Sequence, residues 1–88
     1  MVTSYLMAVT SAQCRAARGL LGWSQQQLAQ QAGVGVVTVH QFEVGRSEPR
    51  RATVEVIRRA FAVAGVMFID ADHDGGPGVR LAGQSHAT

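Results

Sequence analysis

Apolar residues follow two different periods along this chain. From residue 10 to residue 65 they recur every three or four positions, and after Gly65 they gather in short runs of four. The first period is that of helices with one buried stripe, and the second is that of strands. Thr10-Ser-Ala-Gln13 has the form of a capping box, with Thr10 as N-cap and Gln13 reaching back. Behind it Cys14, Ala17 and Leu21 share one face of a helix that stops near Gly22. Ser24-Gln-Gln-Gln27 is a second box and opens a short helix with Leu28, Ala29 and Ala32 inward, closed by Gly33.

The next stretch, Gly33-Val-Gly-Val-Val-Thr-Val-His-Gln-Phe-Glu-Val-Gly45, is rich in β-branched residues and resembles a strand by local propensity alone. Alternation gives it no clean face, however, and no segment up to Gly65 offers a partner strand. A helix from Val36, with Gly35 as N-cap, turns Val39 and Phe42 inward with Thr38 beside them. Val36, Val37, His40 and Gln41 then face outward. The helical frame around the stretch decides for a helix. Arg46-Ser-Glu-Pro-Arg-Arg51 follows as a basic loop. A fourth helix is predicted from Thr53 or a neighbour to Gly65, with Val54, Ile57, Phe61 and Ala64 inward and Glu55, Arg58 and Arg59 outward.

Val66–Ile69 and Val79–Ala82 read as short strands joined by a polar, glycine-rich turn. Residues 1–9 join no pattern and are expected to form a flexible arm, with a frayed tail at 83–88. The expected architecture is mainly α: a compact four-helix domain over 10–65, then at 66–82 a β-hairpin or a dimerising strand pair. A lone hairpin is marginal in water, so these strands need either the helical body or a second copy of the chain.

Composition narrows the function. With 88 residues there is room for one small core, which favours oligomerisation, and 6% aromatic content builds that core from Ala, Val, Leu and a few large rings. The single cysteine, Cys14, has no partner for a disulfide or a cysteine-pair zinc site and reads as a small core residue. The first residues lack a signal-peptide pattern, and no run approaches a membrane span of about 20 apolar residues. The chain is therefore expected in the cytoplasm with no membrane partner. All eight basic residues are arginine. Seven of them precede Val66 against three glutamates, while Asp70, Asp72 and Asp74 outweigh Arg80 beyond it. A basic body with an acidic C-terminal segment points to a polyanion partner.

No nucleophile stands beside a base, and neither a phosphate loop nor a metal cluster is visible, so neither enzymatic activity nor a cofactor is expected. Asp70-Ala-Asp-His-Asp-Gly75 copies the opening of a calcium loop, but the twelfth position, which needs a bidentate glutamate, is Leu81. A polar hairpin turn is the better reading.

Leu21-Gly-Trp-Ser-Gln-Gln-Gln-Leu-Ala-Gln-Gln-Ala-Gly33, followed by Thr38-Val39, Phe42-Glu43 and Gly45, resembles the Cro/cI-type helix-turn-helix regulators, the XRE family. The resemblance covers roughly residues 10–65. The C-terminal part departs from repressors that continue with a fifth helix. It is similar instead to small bacterial regulators carrying Gly65-Val-Met-Phe-Ile69 and Gly76-Pro-Gly-Val-Arg-Leu81. By this resemblance residues 25–31 form the first helix of the motif and residues 36–44 the recognition helix, which lies in the major groove of double-stranded DNA. Val36, Val37 and Gln41 match base-reading positions, with His40 nearby as a further candidate; the two valines stand where the family more often has polar residues, and suit thymine methyls. Arg18, Ser24, Gln25, Arg46, Arg50 and Arg51 are implied phosphate contacts, and Arg18 with Glu43 a structural ion pair. The implied protein is a homodimeric transcriptional regulator, a repressor by type. Strand pairing between subunits would bury Val66, Phe68, Ile69, Val79 and Leu81. The competing reading is a protein-interaction module, such as the antitoxin of a toxin–antitoxin pair, whose partner is a toxin or another regulatory protein.

Overall fold

Both capping boxes form as their spacing predicts. In the computed structural model, which describes residues 9–46 and 49–83, helix α1 spans Ser11–Leu21 and α2 spans Gln25–Ala32. The Gln13 amide donates to Thr10 Oγ1 at 3.0 Å, and Gln13 Oε1 accepts the Thr10 amide at 2.9 Å. Each box satisfies two of the amides that a helix start leaves without partners. At the other end of α1, Gly22 adopts φ 68°, and the Gly22 and Trp23 amides turn back onto the Gly19 and Arg18 carbonyls. That double bond is a Schellman close, open to glycine because it lacks a Cβ.

Helix α3 spans Val36–Glu43, so the valine-rich stretch is helical. Four consecutive β-branched residues each forfeit up to about 0.7 kcal/mol of helix propensity. Burying Val39 and Phe42 against the other helices offsets this, at about 1.5–3 kcal/mol per side chain. Thr38 is exposed rather than tucked beside them. An eight-residue helix has room for one narrow inward stripe, and Val39, Phe42 and Glu43 occupy it.

Helix α4 spans Arg51–Val63, with Arg50 in extended conformation as N-cap. It therefore begins two residues ahead of Thr53, since Arg and Ala are good helix formers and nothing after Pro49 delays the start. Ile57 and Phe61 are fully buried as expected, and Ala60 joins them; Val54 and Ala64 are only half-buried. Phe61 is the centre of the aromatic packing. It stacks on Trp23 with centroids 5.7 Å apart and meets Phe68 edge-on at 6.0 Å.

Strands β1 (Val66–Ile69) and β2 (Gly78–Leu81) form an antiparallel pair in the register Val66↔Leu81, Met67↔Arg80, Phe68↔Val79, Ile69↔Gly78. The pairing is within the chain, and the helical body supplies the support a lone hairpin lacks. Val66, expected at a subunit interface, is 4% exposed in this chain's own core, and Phe68 and Val79 pack against that core. Alternation explains the correction: Val66 and Phe68 share the face that meets α4 and Phe61. Arg58 lies 5.8 Å from the Phe68 ring centroid, so it is not a purely solvated residue. The Gln13 side chain has a second task, donating to the Gly78 carbonyl at 2.9 Å and so fastening the far end of the hairpin to α1.

At the tip, Asp72 Oδ1 accepts the Asp74 and Gly75 amides at 2.9 and 3.1 Å. The aspartate of the calcium-like sequence thus closes a turn on its own backbone. Val9, assigned to the arm from sequence, belongs to the core at the foot of α1. The rest of the arm, residues 1–8, and the tail from 84 lie outside the described residues, as do residues 47 and 48 of the basic loop.

Candidate nucleic-acid interface

Helix α2, the turn through Gly33, Val34 and Gly35, and helix α3 form one unit, with α2 packed against α3 and both resting on neighbouring helices. The inward stripe of α3 fixes what remains outside. Val36, Val37, His40 and Gln41, the four side chains expected to read bases, are all exposed, Val37 at 64%. Thr38 and Val44 extend this surface. The α3 start has no side-chain cap, because Gly35 has no side chain to supply one.

At the α2 start, Ser24 Oγ accepts the Gln27 amide at 3.0 Å and keeps its own hydroxyl hydrogen free to donate. The Gln25 and Gln26 amides precede the first intrahelical bond, so this end carries partial positive charge. Arg46, Arg50 and Arg51 are exposed around the loop that follows α3.

Two of the expected phosphate contacts are engaged inside the protein. Arg18 faces Glu43 with Nε–Oε2 and Nη2–Oε1 both at 2.7 Å, and its Nη1 donates to the Trp23 carbonyl at 3.0 Å. Three of its five N–H groups are thereby committed. Gln25 Nε2 donates to Glu43 Oε1 at 3.0 Å, so the Gln25 side chain turns inward rather than toward solvent. Both arrangements have one cause. Glu43 is buried, its side chain 2% exposed, and a buried carboxylate must collect donors from every element around it.

Cys14 supplies the fourth donor, its Sγ 3.1 Å from Glu43 Oε2. The carboxylate therefore receives two N–H groups from Arg18, one from Gln25 and the thiol, which fills its roughly four lone-pair positions. Arg15 adds a contact to the same residue from the other side, Nη1 donating to the Glu43 backbone carbonyl. Helices α1, α2 and α3 are joined at this single residue.

The charges respond accordingly. Burial pushes the Glu43 carboxyl up, but hydrogen bonds from Arg18, Gln25 and Cys14, with the charge of Arg18, outweigh it and hold the group below its ordinary value. Burial pushes the Cys14 thiol up, and its hydrogen bond and proximity to the Glu43 carboxylate push it further. Arg18 is raised, chiefly by its hydrogen bond to Glu43.

The Arg18–Glu43 pair was visible in the sequence only through family resemblance. Cys14, Arg15 and the inward turn of Gln25 were missed. A signal existed for the first two: Cys14, Arg15 and Arg18 fall at i, i+1 and i+4, a stripe that meets whatever packs on α1.

A family model described as Helix-turn-helix matches residues 15–65, more than half of the chain. Its span takes in α1 from Arg15, the α2–turn–α3 unit and the whole of α4. No curated protein matches the chain.

Proposed function

The chain belongs to the Cro/cI-type helix-turn-helix family, a family of DNA-binding regulators, and from that premise we propose that it is a sequence-specific transcriptional regulator acting as a homodimer. It enters the major groove with α3 and acts by binding alone, in the cytoplasm, without cofactor. The observation that carries this reading is the division of α3: one stripe clamped through Glu43, and Val36, Val37, His40 and Gln41 all open to a partner. Gln41 suits a bidentate bond to adenine, and the two valines suit thymine methyls. Arg46, Arg50 and Arg51 take phosphates, with Ser24 and the α2 amides gripping another. Arg18 and Gln25 act indirectly, by holding Glu43.

In the homodimer, two copies of α3 meet half-sites about 34 Å apart. Strand residues left outside the core, Met67, Ile69 and Leu81, on a sheet of two strands among the described residues, suit the subunit contact better than Val66 does. The competing reading, a module that binds a toxin or another regulatory protein, draws on the exposure of Val36, Val37 and Val44 along one surface.

Fluorescence anisotropy on the full chain tests the proposal, using a duplex selected from random DNA and a scrambled duplex. A preference of at least about a thousandfold, with affinity falling steeply as salt rises, is expected. Equal affinity for both duplexes, or none, refutes it. Sedimentation at micromolar concentration tests the dimer separately, and a monomer bound one to one on a full palindrome overturns that part.

A further inference from the structure

The last turn of α3 has four carbonyls to satisfy, and among the described residues the following backbone reaches three of them. Val44 N donates to the His40 carbonyl at 3.0 Å, Gly45 N to Phe42 at 3.1 Å and Arg46 N to Gln41 at 3.1 Å. The last two bonds are a Schellman close, with Gly45 at φ 69°. That close leaves the Glu43 carbonyl outside. The side chain that takes it is Arg15, on α1, 28 residues away.

We propose that Arg15 is a positioning residue for DNA recognition: its guanidinium caps the C-terminal end of α3 and so sets how the exposed side chains of that helix enter the groove. The inference rests on the base-reading role of α3 proposed above. Three features make this cap matter. The helix has only eight residues, carries four β-branched residues in a row and has no side-chain cap at its start, so little intrinsic stability holds it straight. A cation at a helix C-terminus also opposes the negative end of the macrodipole, and a charged donor on a carbonyl is stronger than a neutral one. Finally, Arg15 and Arg18, one turn apart on α1, grip the same residue at two points, Arg18 by its carboxylate and Arg15 by its backbone. Two points of attachment at one end fix the direction of α3, not only its distance from α1. The opposite end, with Val36 and Val37 exposed, is the end that enters the groove.

An exposed arginine on a DNA-binding protein also suits a phosphate contact, and the experiment separates the two roles. Full-length wild type, Arg15→Ala and Arg15→Lys are titrated against the wild type's selected duplex and a scrambled duplex of equal length, across a salt series. Amide hydrogen exchange is followed on the same three proteins without DNA. Loss of the cap lowers affinity for the selected duplex about tenfold and leaves the scrambled duplex and the salt slope unchanged. It also speeds exchange of the Val44, Gly45 and Arg46 amides about tenfold relative to Leu28 and Ile57. Arg15→Lys, which retains charge and a donor, restores most of both.

Equal losses on both duplexes with a salt slope reduced by about one assign Arg15 to phosphate and overturn the proposal. Unchanged exchange at the end of α3 overturns it too, as does faster exchange without loss of specificity. A wild type that fails to distinguish the two duplexes removes the base-reading premise instead. That failure is visible before either variant is compared.

Discussion

Replacing Arg18 by methionine removes the charge facing Glu43 while keeping most of the side chain's packing. The carboxylate it leaves behind is 2% exposed, whereas Arg18 itself is 21% exposed, so the stranded partner is the one that water cannot reach. Breaking such a pair from one side costs about 3–5 kcal/mol, because a buried charge loses its counter-ion. At the usual per-residue scale an 88-residue domain holds about 4–13 kcal/mol in all, so R18M takes a large share of the total. Replacing both partners, as R18M/E43L, leaves no buried charge and is expected to cost far less than the sum of the two single changes.

The pH dependence carries a sharper sign. In the wild type the Glu43 carboxyl is held below its ordinary value, so its contribution is present above the unfolded value of about 4.3 and is lost as pH falls through the folded value. Without Arg18, burial dominates and the folded value rises above 4.3. The same group then costs stability as pH climbs past that point. The gap between wild type and R18M is therefore wider at pH 7 than at pH 3. Urea unfolding followed by circular dichroism at both pH values measures it. A cost below about 1 kcal/mol at pH 7, the scale of an exposed pair, refutes the reasoning, as does a gap independent of pH.

Gln41→Ala should cost about 1–3 kcal/mol of binding and relax preference at one base position, whereas Arg51→Ala should weaken all sequences alike and lower the salt slope by about one. A uniform loss from Gln41→Ala removes it from base reading. Changing a contacted thymine to uracil deletes only the methyl group. It should weaken the wild type and leave Val37→Ala indifferent, and equal responses of the two proteins discard the methyl contact. Burial and the neighbouring carboxylate raise the Cys14 thiol in the folded state, so its contribution is present below the unfolded value of about 8.5 and is lost as pH rises further. Cys14→Ala should flatten the fall in stability between pH 8 and pH 10, and identical slopes in urea titrations exclude this origin.

What could be read from the sequence was what neighbours in the chain decide. Both capping boxes join residues three apart, and the helical nature of α3 followed from the helices on either side of it, against its own valines. What stayed hidden joins distant residues. The Gln13 amide reaches a carbonyl 65 residues on, and Arg15 and Gln25 reach Glu43 across 28 and 18 positions. The strand pattern named Val66, Phe68, Ile69, Val79 and Leu81 together for burial between subunits, and could not say which of them meet this chain's own helices. Arg18 and Gln25 were polar residues at positions expected to meet phosphate. Their inward turn depends on Glu43 being buried, which no local pattern records.

The most direct test of the central claim is selection of duplexes from a random pool by the full-length chain, followed by methylation interference on the enriched sequence. The predicted result is a two-fold symmetric site whose half-sites lie about one helical turn apart, with interference at major-groove positions in each half. A pool that stays unenriched, or interference confined to the minor groove, contradicts the assignment of α3 as the helix that reads DNA.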